Sequence, residues 1–200
     1  MSSDSEKPAE VKSEEKPTPP KPAPKPAAKA EEKPVELPAF EKGISDKLIE
    51  KFGDKVDIDF VKEDRVGIRT SKENVHDVAQ FIRDDLHYDH AESVSGVDFP
   101  ADNEIEVVYH LGSYTESSLA KQVLTLTTRA PRESNPIPGQ DSTKLPSLRD
   151  VFYSVEFGER EVFEMLGVYF DGHPDNRRLL LPEDWADLPP LRKDFAIKGR

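Results

Sequence analysis

Residues 55–70 read KVDIDFVKEDRVGIRT. Two short runs in it alternate apolar and polar side chains: Val56, Ile58 and Phe60 in the first, Val66 and Ile68 in the second, with Asp64 at the turn between them. A period of two belongs to a strand with one buried face. On either side the period changes to that of a helix. Upstream, Ile44, Leu48, Ile49 and Phe52 share one helical face, which Gly53 ends. Downstream, Thr70 and Glu73 have the spacing of a capping box, and the helix after them is expected to bury Val75, Val78, Ala79, Ile82 and Leu86. A weak strand near 91–99 precedes two longer ones. These are EIEVVYHLG (104–112), with Ile105, Val107, Tyr109 and Leu111 inward, and KQVLTLTTR (121–129), around Leu124 and Leu126. The order α-β-β-α-β-β-β lacks the βαβ alternation of a doubly wound fold. It predicts an α+β fold in two layers, a mainly antiparallel mixed sheet with helices, followed by an extended C-terminal arm.

The α+β domain is expected over 39–130, with a Pro-rich crossing over 131–147 and a helical segment and arm over 148–200. In that last part Ser147 is placed to cap a helical segment carrying Leu148, Val151, Phe152 and Val155. GEREVFEMLG (158–167) reads as a short helix stopped by Gly167, with Arg160 and Glu164 as i,i+4 partners and Val162, Phe163 and Leu166 on an apolar side. The arm GHPDNRRLLLPEDWADLPPLRKDF (172–195) has four prolines, so it is neither a regular helix nor a central strand. Its buried-type triplet Leu179, Leu180 and Leu181 and the only tryptophan, Trp185, make it too apolar for a loose tail. Arg177, Arg178, Arg192 and Lys193 interleave with those residues. Arginine and tryptophan dominate interface hot spots, and irregular backbone needs a surface to satisfy its polar groups.

The other end of the chain is different. Residues 1–38 hold nine Pro, seven Lys and eight acids, with only Val11, Val35 and Leu37 as sizeable apolar side chains. Such a segment buries too little to offset the entropy of ordering, so disorder or PPII is expected there. It carries −1 of the net −12, leaving −11 on the rest, which argues against nucleic-acid binding. The chain has no cysteine, which excludes a disulfide, a thiolate nucleophile or an iron–sulfur cluster built from it alone. No apolar run reaches the length of a membrane span. A soluble intracellular protein is the expectation.

Catalytic signatures are thin. His87 and His90 are three apart among Asp84, Asp85 and Asp89, but no third histidine matches them, and they read as an exposed helix end rather than a metal site. His110 shares a strand face with Glu104 and Glu106 and reads as solvated. His173, held extended before Pro174, reads as a hydrogen-bonded structural residue. Nucleophile-elbow, Walker A and dinucleotide-binding glycine patterns are absent from the sequence.

The run EREVFEMLGVYFDGHPDNRRLLLPEDWADLPPLRKDF (159–195) closely resembles the signature of the C-type subunit of the respiratory complex I (NADH-quinone oxidoreductase) family, the 30-kilodalton subunit in mitochondrial naming. Glu159, Arg160, Glu161, Glu164, Gly167, Gly172, His173, Pro174, Arg177, Arg178, Trp185, Pro190, Leu191, Arg192, Lys193, Asp194 and Phe195 match it. Phe157 stands where the family usually has Trp, and Glu164 where it usually has Asp. The resemblance implies a non-catalytic peripheral-arm subunit of a proton-translocating quinone oxidoreductase oxidising NADH or another reduced carrier. Such a protein sits on the cytoplasmic side of the cell membrane and holds no cofactor of its own. It packs on the D-type, quinone-site subunit and on neighbouring iron–sulfur subunits, which hold the clusters and the quinone. The expected partner interface is Glu159, Arg160, Glu161, Glu164, His173, Arg177, Arg178, Trp185, Arg192, Lys193 and Asp194. The alternatives are the equivalent subunit of a membrane-bound [NiFe]-hydrogenase complex and a free-standing binding or assembly module.

Overall fold

The structure is a computed structural model in which residues 38–134 and 143–197 of the chain are described. The expectation of disorder for the N-terminal arm lies outside the described residues, as does the middle of the crossing.

Helix α1 (Ala39–Phe52) leads into the hairpin β1 (Val56–Lys62) and β2 (Arg65–Thr70). Helix α2 (Val75–Asp84) then crosses to a second hairpin, β3 (His90–Phe99) and β4 (Glu104–Gly112), and β5 (Val123–Pro131) closes the sheet. The sheet order is β1-β2-β5-β4-β3. Within it only β2 and β5 pair in parallel; the other three pairings are antiparallel. This is the mainly antiparallel mixed sheet that the order of elements predicts. Both hairpins turn through a residue with positive φ, Asp64 at 61° and Asn103 at 55°, which Asp and Asn tolerate better than other side chains bearing a Cβ.

Register carries the alternating pattern into a core. Tyr109 pairs with Leu126, Leu111 with Leu124 and Ile105 with Ala130, so the inward residues of neighbouring strands meet in rows. Val66, Ile68, Ile105, Val107, Tyr109, Leu111, Leu124 and Leu126 are at most 1% exposed. Val75, Val78, Ala79 and Ile82 of α2 pack onto the same cluster, as do Ile44 and Leu48 of α1.

Four local expectations are corrected. Phe60 leaves the face expected for it with Val56 and Ile58, because the register shifts between Ile58 and Phe60 and sets Phe60 opposite Gly67, over which its ring lies. Ile49 is 47% exposed, while Glu41 and Ser45 take the inner positions beside Ile44 and Leu48. Glu41 is wanted inside because its carboxylate accepts the Asp64 N–H at 2.9 Å and Gln122 Nε2 at 2.7 Å, closing the first hairpin. The capping box does not form: Thr70 still belongs to β2 and donates to the Lys55 carbonyl, while α2 begins only at Val75. Ser147 caps a turn rather than a helix. Its Oγ accepts the Arg149 N–H, and after a 3-10 turn over Tyr153–Val155 the helix α3 (Glu156–Leu166) follows.

A small parallel pair, β6 (Lys144–Pro146) with β7 (Tyr169–Asp171), brackets α3. Leu145, Leu148, Phe152, Val155, Val162, Leu166 and Phe170 join the sheet's own hydrophobic cluster. The helix lies close on β3 because Gly158 faces Val94, where an added Cβ would sit 2.8 Å from the valine Cβ. It ends at Gly167, φ 79°, in the left-handed conformation that stops helices.

Candidate functional site: the C-terminal arm on helix α3

Helix α3 has two working sides. Val162, Phe163, Leu166 and Glu159 point into the core. Arg160 and Glu164, one turn apart, point sideways. The sequence reads them as partners of each other, but both grip the arm, and they do so with opposite polarity. Arg160 donates from Nε to the Arg177 carbonyl and from Nη2 to the Arg178 carbonyl, each at 3.0 Å. Its Nη1 lies 3.5 Å from Asp175. Glu164 accepts the consecutive backbone N–H groups of Leu179, Leu180 and Leu181 at 2.8–3.1 Å. Proline-broken backbone cannot satisfy itself, and these two side chains supply the missing partners.

The rest of the arm is held in the same way. Arg178 donates to the carbonyls of Pro182, Glu183 and Trp185 at 2.7–3.0 Å. Trp185 donates to the Leu188 carbonyl and lies 6.0 Å from the Phe195 ring. Arg192, 3% exposed, donates to the Leu166 carbonyl at 2.6 Å and to the Glu133 carbonyl. The Leu191 N–H reaches the Met165 carbonyl. The end of α3 thus finds partners for carbonyls that a helix terminus leaves open. Asp98 at the end of β3 accepts Arg132 Nε at 2.6 Å and the Lys193 N–H at 2.9 Å, and Arg132 also meets Asp194 at 2.8 Å. Burial alone raises the Asp98 pKa, but Arg132 and the Lys193 N–H outweigh it and the net shift is downward. The Arg192 pKa is lowered, first by burial and then by Arg132 beside it.

Beneath the arm's first turn lies a buried polar group. Glu159, with no exposed side-chain surface, accepts from Tyr109 Oη at 3.1 Å, Ser147 Oγ at 2.6 Å and the Leu148 N–H at 2.9 Å. Burial pushes its carboxyl up to about 7, against the lowering pull of those donors. The His173 ring is equally buried. Its Nδ1 accepts the Asp175 N–H at 3.0 Å, so the ring proton sits on Nε2 and meets the Glu156 carbonyl at 3.1 Å. This is the structural histidine the sequence implies.

The expected interface residues therefore divide. Glu159, His173 and Arg192 face the chain's own interior, where each fills a polar vacancy left by turns and helix ends. Arg160, Glu164 and Arg178 are occupied by arm backbone, and Trp185 is half-buried. Glu161, Arg177, Lys193 and Asp194 face outward, Arg177 resting on Asp175 at 2.7 Å. The leucine triplet is largely turned outward. Leu179 is 41% and Leu180 60% exposed, joined outside by Leu191 at 59% and Ile197 at 72%. A signal for this exists in the sequence, since three consecutive leucines cannot all face one way. His87 lies beyond α2 with φ 62°, and His90 stacks on Tyr114 at 4.3 Å. Among the described residues no group of three or more His, Asp or Glu side chains is placed to hold a metal ion.

Residues 68–200 match the family described as the respiratory-chain NADH dehydrogenase 30 kDa subunit. Two relatives show the range of proteins similar to this chain. The C-type subunit of F(420)H(2) dehydrogenase from Methanosarcina mazei is 36% identical over 131 residues, 66% of this chain and 75% of that one. The C/D-type subunit of NADH-quinone oxidoreductase from Phocaeicola vulgatus is 35% identical over 128 residues, 64% of this chain but only 22% of that one. Among solved structures, a chain of the membrane-bound sulfane sulfur reductase, an archaeal respiratory membrane complex, is similar at a TM-score of 0.59 and 26% identity. That match covers 78% of this chain and 86% of the other.

Proposed function

The chain belongs to the family of the 30 kDa subunit of respiratory-chain NADH dehydrogenase, and from that premise we propose that it is a non-catalytic docking subunit of a proton-translocating quinone oxidoreductase. The observation that carries this reading is how the arm is used. Its polar backbone is satisfied by Arg160, Glu164, Arg178 and Arg192 within the chain, while Leu179, Leu180, Leu191 and Ile197 face outward. An irregular segment held rigid from behind, with apolar side chains in front, loses little entropy when it docks. The arm binds the D-type, quinone-site subunit, with iron–sulfur subunits nearby. The C/D name of the Phocaeicola relative supports that neighbour.

The chain brings no redox group of its own. It has no cysteine, and electrons pass through its neighbours. Relatives named for F(420)H(2), for NADH and for sulfane sulfur support a role in holding the assembly rather than in selecting its donor. Attachment to the cytoplasmic side of the membrane is through partners. Among the described residues no helix is long and apolar enough to cross a bilayer.

Replacing Leu179 and Leu180 by Ser tests the reading. Each leucine buried at an interface contributes about 1.5–3 kcal/mol, so the double variant should keep its circular dichroism yet leave the assembly on blue-native electrophoresis of solubilised membranes. Normal assembly of the folded variant would sink the proposal. The similarity to the sulfane sulfur reductase chain favours a second reading, the equivalent subunit of a related membrane-bound complex. Stoichiometric co-purification with a [NiFe]-type subunit in place of a quinone-site subunit would select it.

A further inference from the structure

The four acids of α3 have different surroundings. Glu161 is exposed, Glu156 pairs with Arg149 Nε at 2.7 Å, and Glu164 holds three arm amides. Glu159 alone is fully buried against neutral donors: the Tyr109 hydroxyl from β4, the Ser147 hydroxyl and the Leu148 N–H. The His173 ring comes within 3.9 Å of it, but that ring uses its unprotonated Nδ1 to accept the Asp175 N–H, so it offers no counter-charge. Asp150, in the turn before α3, adds repulsion. The Glu156 carboxylate, one turn earlier, is held away by Arg149. A carboxylate stripped of water and lacking a cation is costly, whereas the neutral acid is not. The neutral form fits this cluster well. Its O–H donates to Ser147 Oγ across the same 2.6 Å, and its other oxygen still accepts from Tyr109 and Leu148.

We propose that Glu159 is a protonated latch under the root of the arm, and that its ionisation loosens the turn His173–Asp175. Loss of its proton to solvent leaves an unpaired charge under the His173 ring, 3.9 Å from Nε2, and that charge is relieved when water enters beneath the turn and the ring's bond to the Asp175 N–H opens. Asp175 is the residue that Arg160 and Arg177 hold, so the first anchor of the arm is undone with it. The sign follows from the upward shift. The carboxyl titrates at about 7 in the fold against an ordinary value of 4.5, so its contribution is complete below the lower value and is lost as pH rises through the upper one. The latch holds whether or not the arm docks on a quinone-site subunit.

Trp185 is the sole tryptophan of the chain and reports on the arm directly. The test follows thermal unfolding of the full chain by Trp185 emission from about pH 5.5 to 8.5, in wild type and in Glu159→Gln, which mimics the neutral acid. The wild-type midpoint should fall by several degrees across that window, while the variant's stays level and exceeds wild type at the alkaline end. A level wild-type curve, or an equal fall in the variant, overturns the proposal. If Glu159→Gln fails to fold, the infrared spectrum of wild type decides instead. A protonated-carboxyl band that fades as pH rises through neutrality supports the latch, and its absence at the acidic end refutes it.

Discussion

The sheet and the arm are stabilised by different means. In the sheet, residues such as Ile105, Tyr109 and Leu126 are wholly buried and meet across strands in register, so the driving force is the removal of apolar surface from water. In the arm, the large apolar side chains Leu180 and Leu191 are mostly exposed, and order comes from charged side chains bonded to backbone groups. Burial of apolar area is non-directional and spread over many residues. The arm instead depends on a few directional bonds, and losing one frees a definite piece of chain. A segment built that way keeps its apolar face for something other than folding.

Three substitutions would sharpen or break that contrast. Leu126→Ala opens a cavity in the centre of the sheet and should cost about 2–5 kcal/mol. Circular dichroism and Trp185 emission should then report one common, lowered urea midpoint; separate transitions would show that the arm is independent of the core. Glu164→Ala strands three amides on the arm and should cost about 1–3 kcal/mol. Trp185 emission should shift toward that of solvated indole while the far-ultraviolet dichroism of the sheet is retained. Global unfolding would mean that α3 itself depends on the contact. Arg177→Ala removes an exposed partner of Asp175 and should leave both signals where they are. A measurable loss of stability would mean that Arg177 anchors the arm alongside Arg160.

Much of this is legible in the sequence, and the misses share a cause. The strands around Asp64 and the inward residues of Glu104–Gly112 follow from alternation, and the stop at Gly167 from backbone preference; each depends on residues near in sequence. Ile49 is misplaced because periodicity marks apolar residues and is blind to Glu41, whose burial is offset by the Asp64 N–H and by Gln122 just before β5. Arg160 and Glu164 read as a pair because i,i+4 spacing suggests it. Their actual partners, the peptide groups of residues 177–181, carry no side-chain signature.

The sequence by itself determined the order of the first two helices and the five sheet strands, the first hairpin, the faces that β2, β4 and α2 bury and the end of α3, because all of these arise from interactions within about one turn or one hairpin. Only the tertiary structure decided that β2 runs parallel beside β5, that β6 and β7 pair at all, and that Glu159 sits with Tyr109 from 50 residues away. It also decided that the Lys193 N–H finds Asp98 across 95 residues of chain. A charged side chain does not advertise its partner: water satisfies it equally well until the fold removes the water and leaves one acceptor within reach.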